Sequence, residues 1–168
     1  MTSAGGTMRS TKNDLSPKIR KPVVKLLNAN LADAIHLSLQ AKQAHWNVKG
    51  QHFFFLHGLF DKVYEESVEW VDALAERAVQ LGGVAEGTLD SIQKRTRLAA
   101  YDLEWTSGKE HLEGLSNGLS VFGKEVREAI GSAVELGDAD TADLFTEISR
   151  EVDKMLWFCE SHLGEVKT

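Results

Sequence analysis

The sequence predicts an all-α protein built as a four-helix bundle. Three observations carry this reading. Apolar residues recur every three or four positions in four long stretches, no stretch alternates in the manner of a strand, and every connection is short except one of about 25 residues.

Val24, Leu27, Leu31, Ala34, Ser38, Ala41 and His45 form one face of the first helix, behind start signals at Ser16, Pro17 and Pro22. Gly50 closes it. The second helix runs from about Phe55 to Leu81 and stops at Gly82-Gly83. Residues 84–107 are less periodic and form a connector, with Thr88 capping a short helix that extends through about Lys94. Ser107 opens the third long helix, whose stripe is Leu112, Leu115, Leu119, Phe122, Val126, Ala129 and Ala133, up to Gly137. Leu144, Ile148, Val152, Met155 and Cys159 mark the fourth. The connector is long enough to travel the length of the bundle. Two antiparallel hairpins joined by a crossover result, the topology of ferritin-like bundles.

A chain of 168 residues buries one continuous core, so the expected organisation is a bundle domain over residues 22–168 behind a tail, residues 1–21. The tail is Gly/Ser/Thr-rich, and disorder is expected up to about Leu15. Cys159 is the only cysteine, which rules out an intrachain disulfide and suits a reducing cytoplasm. No signal-type apolar core opens the chain, and no run approaches the ~20 apolar residues needed to cross a bilayer. A cytoplasmic location is therefore expected. The formal charge is −6, but Arg9, Lys12, Lys18, Arg20 and Lys21 against Asp14 give the tail +4, which leaves −10 on the body. An acidic body repels nucleic acid and attracts cations; only the tail has the sign to meet phosphates.

The second helix carries Asp61, Glu65, Glu69, Asp72 and Glu76 at spacings of 4, 4, 3 and 4, with His57 one turn before Asp61. An acidic ladder alone reads as a solvated face. A histidine one turn from an aspartate, and a second carboxylate pair further along, read as two halves of a site for Fe(II), Mn(II) or Zn(II). The halves cannot meet within one helix: Asp61 and Asp72 are separated by about 16 Å of helix axis, whereas metal bonds are about 2 Å long. Yet His57 with Glu76, and Asp61 with Asp72, share one midpoint, 66.5. Two copies of this helix packed antiparallel about a two-fold axis near Glu66 and Ser67 would set each half against the other half of the partner, twice per dimer. Glu-x-x-His, the usual di-iron motif within a single chain, is missing before every histidine.

With KQAHWNVKG at 42–50, His57 followed by Asp61, VDALAERAVQLGG at 71–83, and DTADLF and DKMLWF in the last helix, the chain resembles the Dps family, the mini-ferritins named as DNA-binding proteins from starved cells. The resemblance covers roughly Val23 to Leu163. It implies a hollow homododecamer that oxidises Fe(II), preferably with hydrogen peroxide, stores the Fe(III) product inside, and in some members binds and condenses DNA. The ligands it implies are His45, His57 and Asp61 from one subunit with Asp72 and Glu76 from its neighbour, and Trp46 matches a tryptophan beside the iron site. Asp138, Asp140 and Asp143 match acids that line three-fold entry pores, although helix capping accounts for a cluster there as well. The family often places an acid directly after His57; this chain has Gly58, and Lys62 follows Asp61, so mineral nucleation falls to Glu65, Glu66 or Glu69.

The expected function is thus a ferroxidase and iron store that protects DNA from oxidative damage. Phe53, Phe54, Phe55 and Trp46 are expected to wall the site off from water. His52, His36, His111 and His162 are expected to be structural or solvent-facing. Arg9, Lys12, Lys18, Arg20 and Lys21, multiplied around a shell, would bind double-stranded DNA without reading its sequence, and association with the nucleoid would follow. The competing reading is a DNA-compacting architectural protein with weak or no iron oxidation.

Overall fold

The computed structural model describes residues 8–164. Its elements are α1 (Pro17–Asn47), α2 (Phe53–Gln80), the short α3 (Leu89–Arg95), α4 (Gly108–Leu136) and α5 (Ala139–Ser161). Helices α1 with α2 and α4 with α5 form the two tight hairpins, and α1 against α4 joins them into one bundle. Trp70, Phe60, Phe122 and Phe145 fill the centre, all fully buried, each contributing roughly 1.5–3 kcal/mol by leaving water. Among the described residues no strand forms, apart from an isolated bridge between Lys49 and Ser107 that ties the α1–α2 turn to the start of α4.

The helix ends follow from their residues. Ser107 accepts from the Glu110 amide while the Glu110 carboxylate returns to the Ser107 amide, a reciprocal cap that starts α4. Thr88 accepts from the Ser91 amide and starts α3 as expected. The long connection is held by a polar row on α1. Asn28 bonds the Val84 carbonyl and the Glu86 amide, both at 2.9 Å. Buried Asp33 takes the Arg97 amide and guanidinium, each at 2.7 Å. Gln40 donates to the Ala99 carbonyl at 2.8 Å. The connection therefore runs along α1 in the same direction, which makes it the crossover.

One boundary differs from expectation. α1 begins at Pro17, so Lys18, Arg20 and Lys21 sit on the bundle rather than on a free tail. Residues 8–16 lie against the end of α2. The Arg9 amide donates to the Gly82 carbonyl at 2.7 Å, and the Arg20 guanidinium donates to the Leu15 carbonyl at 2.9 Å and the Leu81 carbonyl at 2.8 Å. Residues 1–7, the rest of the expected disordered tail, lie outside the described residues.

Gly82 has φ +81°, and a Cβ there would approach the Arg9 carbonyl oxygen to 2.6 Å. The turn and the strap both require glycine. Gly82→Ala is expected to cost on the order of 2 kcal/mol, seen as a lower urea midpoint at unchanged slope, with faster hydrogen exchange at the Arg9 amide. An unchanged midpoint and unchanged exchange would contradict this account of the α2 terminus.

Candidate metal centre

Where α1 ends and α2 begins, His45 and His57 stack with ring centroids 3.6 Å apart. Their hydrogen bonds are reciprocal: Nδ1 of each lies 2.8 Å from the backbone carbonyl of the other. A carbonyl only accepts, so Nδ1 carries the proton in both rings and Nε2 keeps its lone pair. A backbone carbonyl on one ring nitrogen is the usual way a metal-ligating imidazole is oriented.

Asp61 stands one turn beyond His57, its Oδ1 3.9 Å from His45 Nδ1. It also pairs with Lys42. That hydrogen bond, with the Lys42 charge as a smaller contribution, holds the Asp61 carboxyl below the usual range against the opposing effect of burial. Lys42 in turn lies 4.4 Å from the centre of the Tyr64 ring, a second seat for the ammonium beside the carboxylate. The pairing was not visible in the sequence, because Lys42 and Asp61 lie on different helices.

Three of the five expected ligands therefore meet, and two do not. Asp72 and Glu76 are exposed further along α2. Among the described residues no group of three or more His, Cys, Asp or Glu is disposed to hold a metal ion. The surface between the two halves is informative. At 100° per residue, Phe54, Val68, Asp72 and Val79 all fall within about 20° of Asp61, on the flank away from the buried Phe60, Trp70 and Leu74. Phe54 is 80% exposed, Val68 39% and Val79 48%. These positions obey the two-fold numbering as well: Phe54 with Val79, and Glu65 with Val68, share the midpoint of the acidic pairs.

The aromatic wall differs from expectation. Phe53 approaches His57, with centroids 5.0 Å apart, but Phe55 and Trp46 face solvent at 72% and 69% exposure. In one subunit the wall is therefore open. Gly58 is exposed with open space around it. Lys62 pairs with Glu66 at 2.6 Å, which leaves Glu65 and Glu69 as the exposed acids among the three nucleation candidates. His52 and His162 are exposed at helix ends. His36 bonds the Thr96 hydroxyl at 2.9 Å and Gln40 at 3.1 Å.

Two further groups are rearranged. Arg20 is buried and spends its guanidinium on backbone carbonyls, so it leaves the set of surface cations; Arg9, Lys12, Lys18 and Lys21 stay exposed. Asp138 is likewise buried. Its Oδ1 accepts from the Thr141 amide at 3.1 Å and from Arg77 at 2.8 Å, and its Oδ2 accepts from the Thr141 hydroxyl at 2.7 Å. It is the N-cap of α5. Asp140 on the first turn and Asp143 just beyond it remain exposed.

The profile of the Ferritin family, a ferritin-like domain, matches residues 24–168. The DNA protection during starvation protein of Agrobacterium fabrum is 42% identical over 155 residues, 92% of this chain and 96% of its own. Among solved structures, DpsC from Streptomyces coelicolor matches with a TM-score of 0.93 at 29% identity, covering 100% of this chain and 98% of that one. The Dps protein from Vibrio cholerae O1, described as a member of a broad superfamily of ferritin-like diiron-carboxylate proteins, matches with a TM-score of 0.87 at 25% identity, over 94% of this chain and 99% of that one.

The α5 cap separates Asp138 from its two exposed neighbours. Asp138→Ala removes the α5 cap and the nearest carboxylate of the part-buried Arg77 and is expected to destabilise the chain by about 3 kcal/mol. Asp140→Asn and Asp143→Asn should stay within about 0.5 kcal/mol of the parent in the same urea titration. Equal stability of all three variants would contradict the assignment of Asp138.

Proposed function

The chain belongs to the Dps family of ferritin-like proteins, and from that premise we propose that it oxidises Fe(II) with hydrogen peroxide at sites shared between two subunits. The Fe(III) product is held inside a closed shell of twelve chains, away from DNA. The observation that carries the reading is the α2 flank. Both halves of a ligand set lie on it, about 16 Å apart, threaded with exposed apolar residues at positions that pair under the same two-fold relation.

In the proposed dimer, His57 and Asp61, with His45 behind them, face Asp72 and Glu76 of the partner subunit. Phe54 meets the partner's Val79, so one packing event buries the apolar stripe and closes the site. Two Fe(II) ions give one electron each: 2 Fe(II) + H₂O₂ + 2 H⁺ → 2 Fe(III) + 2 H₂O. Because both electrons pass to one peroxide, the O–O bond breaks without leaving a free radical. The Nε2 lone pairs of His45 and His57 favour ferrous iron, while the carboxylates favour the harder ferric product. Iron binding at Asp61 displaces Lys42, whose seat over Tyr64 keeps it close. Protonated carboxylates are poor ligands, and oxidation falls in acid. Asp140 and Asp143 are the remaining candidates for an acidic entrance, and Glu65 and Glu69 for the first ferric deposits.

The relative from Agrobacterium fabrum is named for DNA protection, and removal of Fe(II) and peroxide protects DNA without touching it. Direct, sequence-independent contact with double-stranded DNA would use Arg9, Lys12, Lys18 and Lys21. The architectural alternative has less support. It calls for a free basic arm, whereas residues 8–16 are strapped to α2, Arg20 is buried, and residues 1–7 contain no lysine or arginine.

Mixed dimers test the shared site. One chain carries His57→Ala with Asp61→Asn, another Asp72→Asn with Glu76→Gln. Each alone should assemble and lose most peroxide-dependent Fe(II) oxidation after anaerobic loading, followed by ferric absorbance. Co-expression should restore activity toward one working site per mixed dimer, since one of its two sites then has every ligand. Verified mixed dimers with no recovery would overturn the proposal.

A further inference from the structure

Behind the candidate iron site lies a second group of side chains that the reaction above does not use. His111 on α4 is 1% exposed. Its Nδ1 is 2.8 Å from the Tyr101 hydroxyl. Its Nε2 is buried without a hydrogen bond, and the Asn47 backbone lies close to the ring. Tyr101 packs edge-on to Trp105, with centroids 4.9 Å apart, and His111 packs edge-on to Phe60 at 6.1 Å. Phe60 immediately precedes Asp61, and Asn47 lies two residues after His45. The group thus touches both helices that carry the iron ligands.

We infer that Tyr101, with His111 as its proton acceptor, is an internal one-electron donor that quenches radicals formed when peroxide meets a half-filled iron site. The inference rests on the iron-oxidising function proposed above for the source of those radicals. The protonation states follow from the surroundings. Burial lowers the His111 pKa and raises that of Tyr101, so the imidazole is neutral and the phenol protonated. The Tyr101 hydroxyl has Nδ1 as its one hydrogen-bond partner among the described residues, and donating to it leaves the ring proton on Nε2. Nδ1 is then the base, and the phenol donates to it.

A single Fe(II) delivers only one electron: Fe(II) + H₂O₂ → Fe(III) + OH⁻ + •OH. The donor step then balances as •OH + Tyr–OH + His → OH⁻ + Tyr–O• + His–H⁺. The electron passes to the radical, and the phenolic proton moves along the existing hydrogen bond to Nδ1. Without a base, oxidation of a phenol must pass through a high-energy cation. Tyr64, the only other tyrosine, has the Lys42 ammonium over its ring, and a nearby positive charge opposes loss of an electron. The more remote tyrosine is therefore the better donor. The Trp105 ring next to it is seated against Gly114, where an added Cβ would collide with the indole. A glycine inside α4 costs about 1 kcal/mol of helix stability, and here it makes room for an aromatic neighbour that can share the oxidised state.

The experiment uses the assembled full-length protein and its Tyr101→Phe, Tyr64→Phe and His111→Gln variants, each checked for assembly. In the first arm, one Fe(II) per site is loaded anaerobically, mixed with peroxide and freeze-quenched for electron paramagnetic resonance. In the second, iron-free protein is oxidised by azide radical, and transfer from tryptophan to tyrosine is followed optically. A tyrosyl signal is expected in the parent and in Tyr64→Phe, and it should be lost in Tyr101→Phe in both arms. In His111→Gln it should form more slowly, while Fe(II) oxidation at two irons per site stays unchanged. An azide-driven signal at Tyr101 without any iron oxidation would support the donor pair and count against the iron reading alone. A full tyrosyl signal in Tyr101→Phe in either arm, or its absence from the parent in both, would overturn the inference.

Discussion

Helical periodicity on α2 is the constraint from which the rest of the account follows. Eleven residues bring an α-helix back to within about 20° of its starting direction while advancing it about 16 Å. Asp61 and Asp72 therefore share a direction and can never share an ion within one chain. A sequence that placed its ligands this way and stopped there would hold no metal. The same flank exposes Phe54, Val68 and Val79, side chains that a lone soluble helix has no reason to align with its carboxylates. The proposed antiparallel pairing about the middle of α2 would resolve both problems at once, since it would bury the apolar residues and bring the half-sites together.

The fold keeps those half-sites rigid by different means. At one end, the reciprocal bonds between His45 and His57 lock α1 to α2 and fix both tautomers. At the other, Arg77, the residue after Glu76, is tied to Asp138 and to the Thr141 hydroxyl, at 2.8 and 2.9 Å. The end of α2 is thereby fastened to the start of α5, where Asp140 and Asp143 are exposed. Ligand positions and the candidate entrance consequently belong to one rigid frame. Lys42 adds a further restraint: its salt bridge favours the ionised Asp61 carboxylate and holds it against α1.

Much of this was legible in the sequence, for a definite reason. Helices announce themselves through local period and local caps, so the four long elements, Thr88, Ser107 and the glycine stops could be read from neighbours within four residues. The two-fold relation was legible too, because it is a property of numbering along one helix. What the sequence hid depends on contacts between distant segments. Arg20 reads as one more cation in a basic tail until Leu81, 61 residues away, takes its guanidinium. Asp138 reads as one of three acids until Arg77 arrives from α2. His111 reads as an idle core histidine until the crossover brings Tyr101 to its Nδ1. The aromatic run at Phe53 to Phe55 suggested a closed wall, whereas Phe54 and Phe55 are exposed in one subunit; the proposed pairing of two α2 helices would account for this as it would for the separated carboxylates.

The shared site is tested most directly by locating the metal. Crystals of the assembled protein, loaded anaerobically with Fe(II) and measured at the iron absorption edge, should show anomalous density at the interface between two copies of α2. The density should lie within bonding distance of His57 and Asp61 from one subunit and of Glu76 from the other, twice per dimer. Iron coordinated wholly by side chains of a single chain, or an ordered dimer whose two α2 helices do not face each other, would contradict the account.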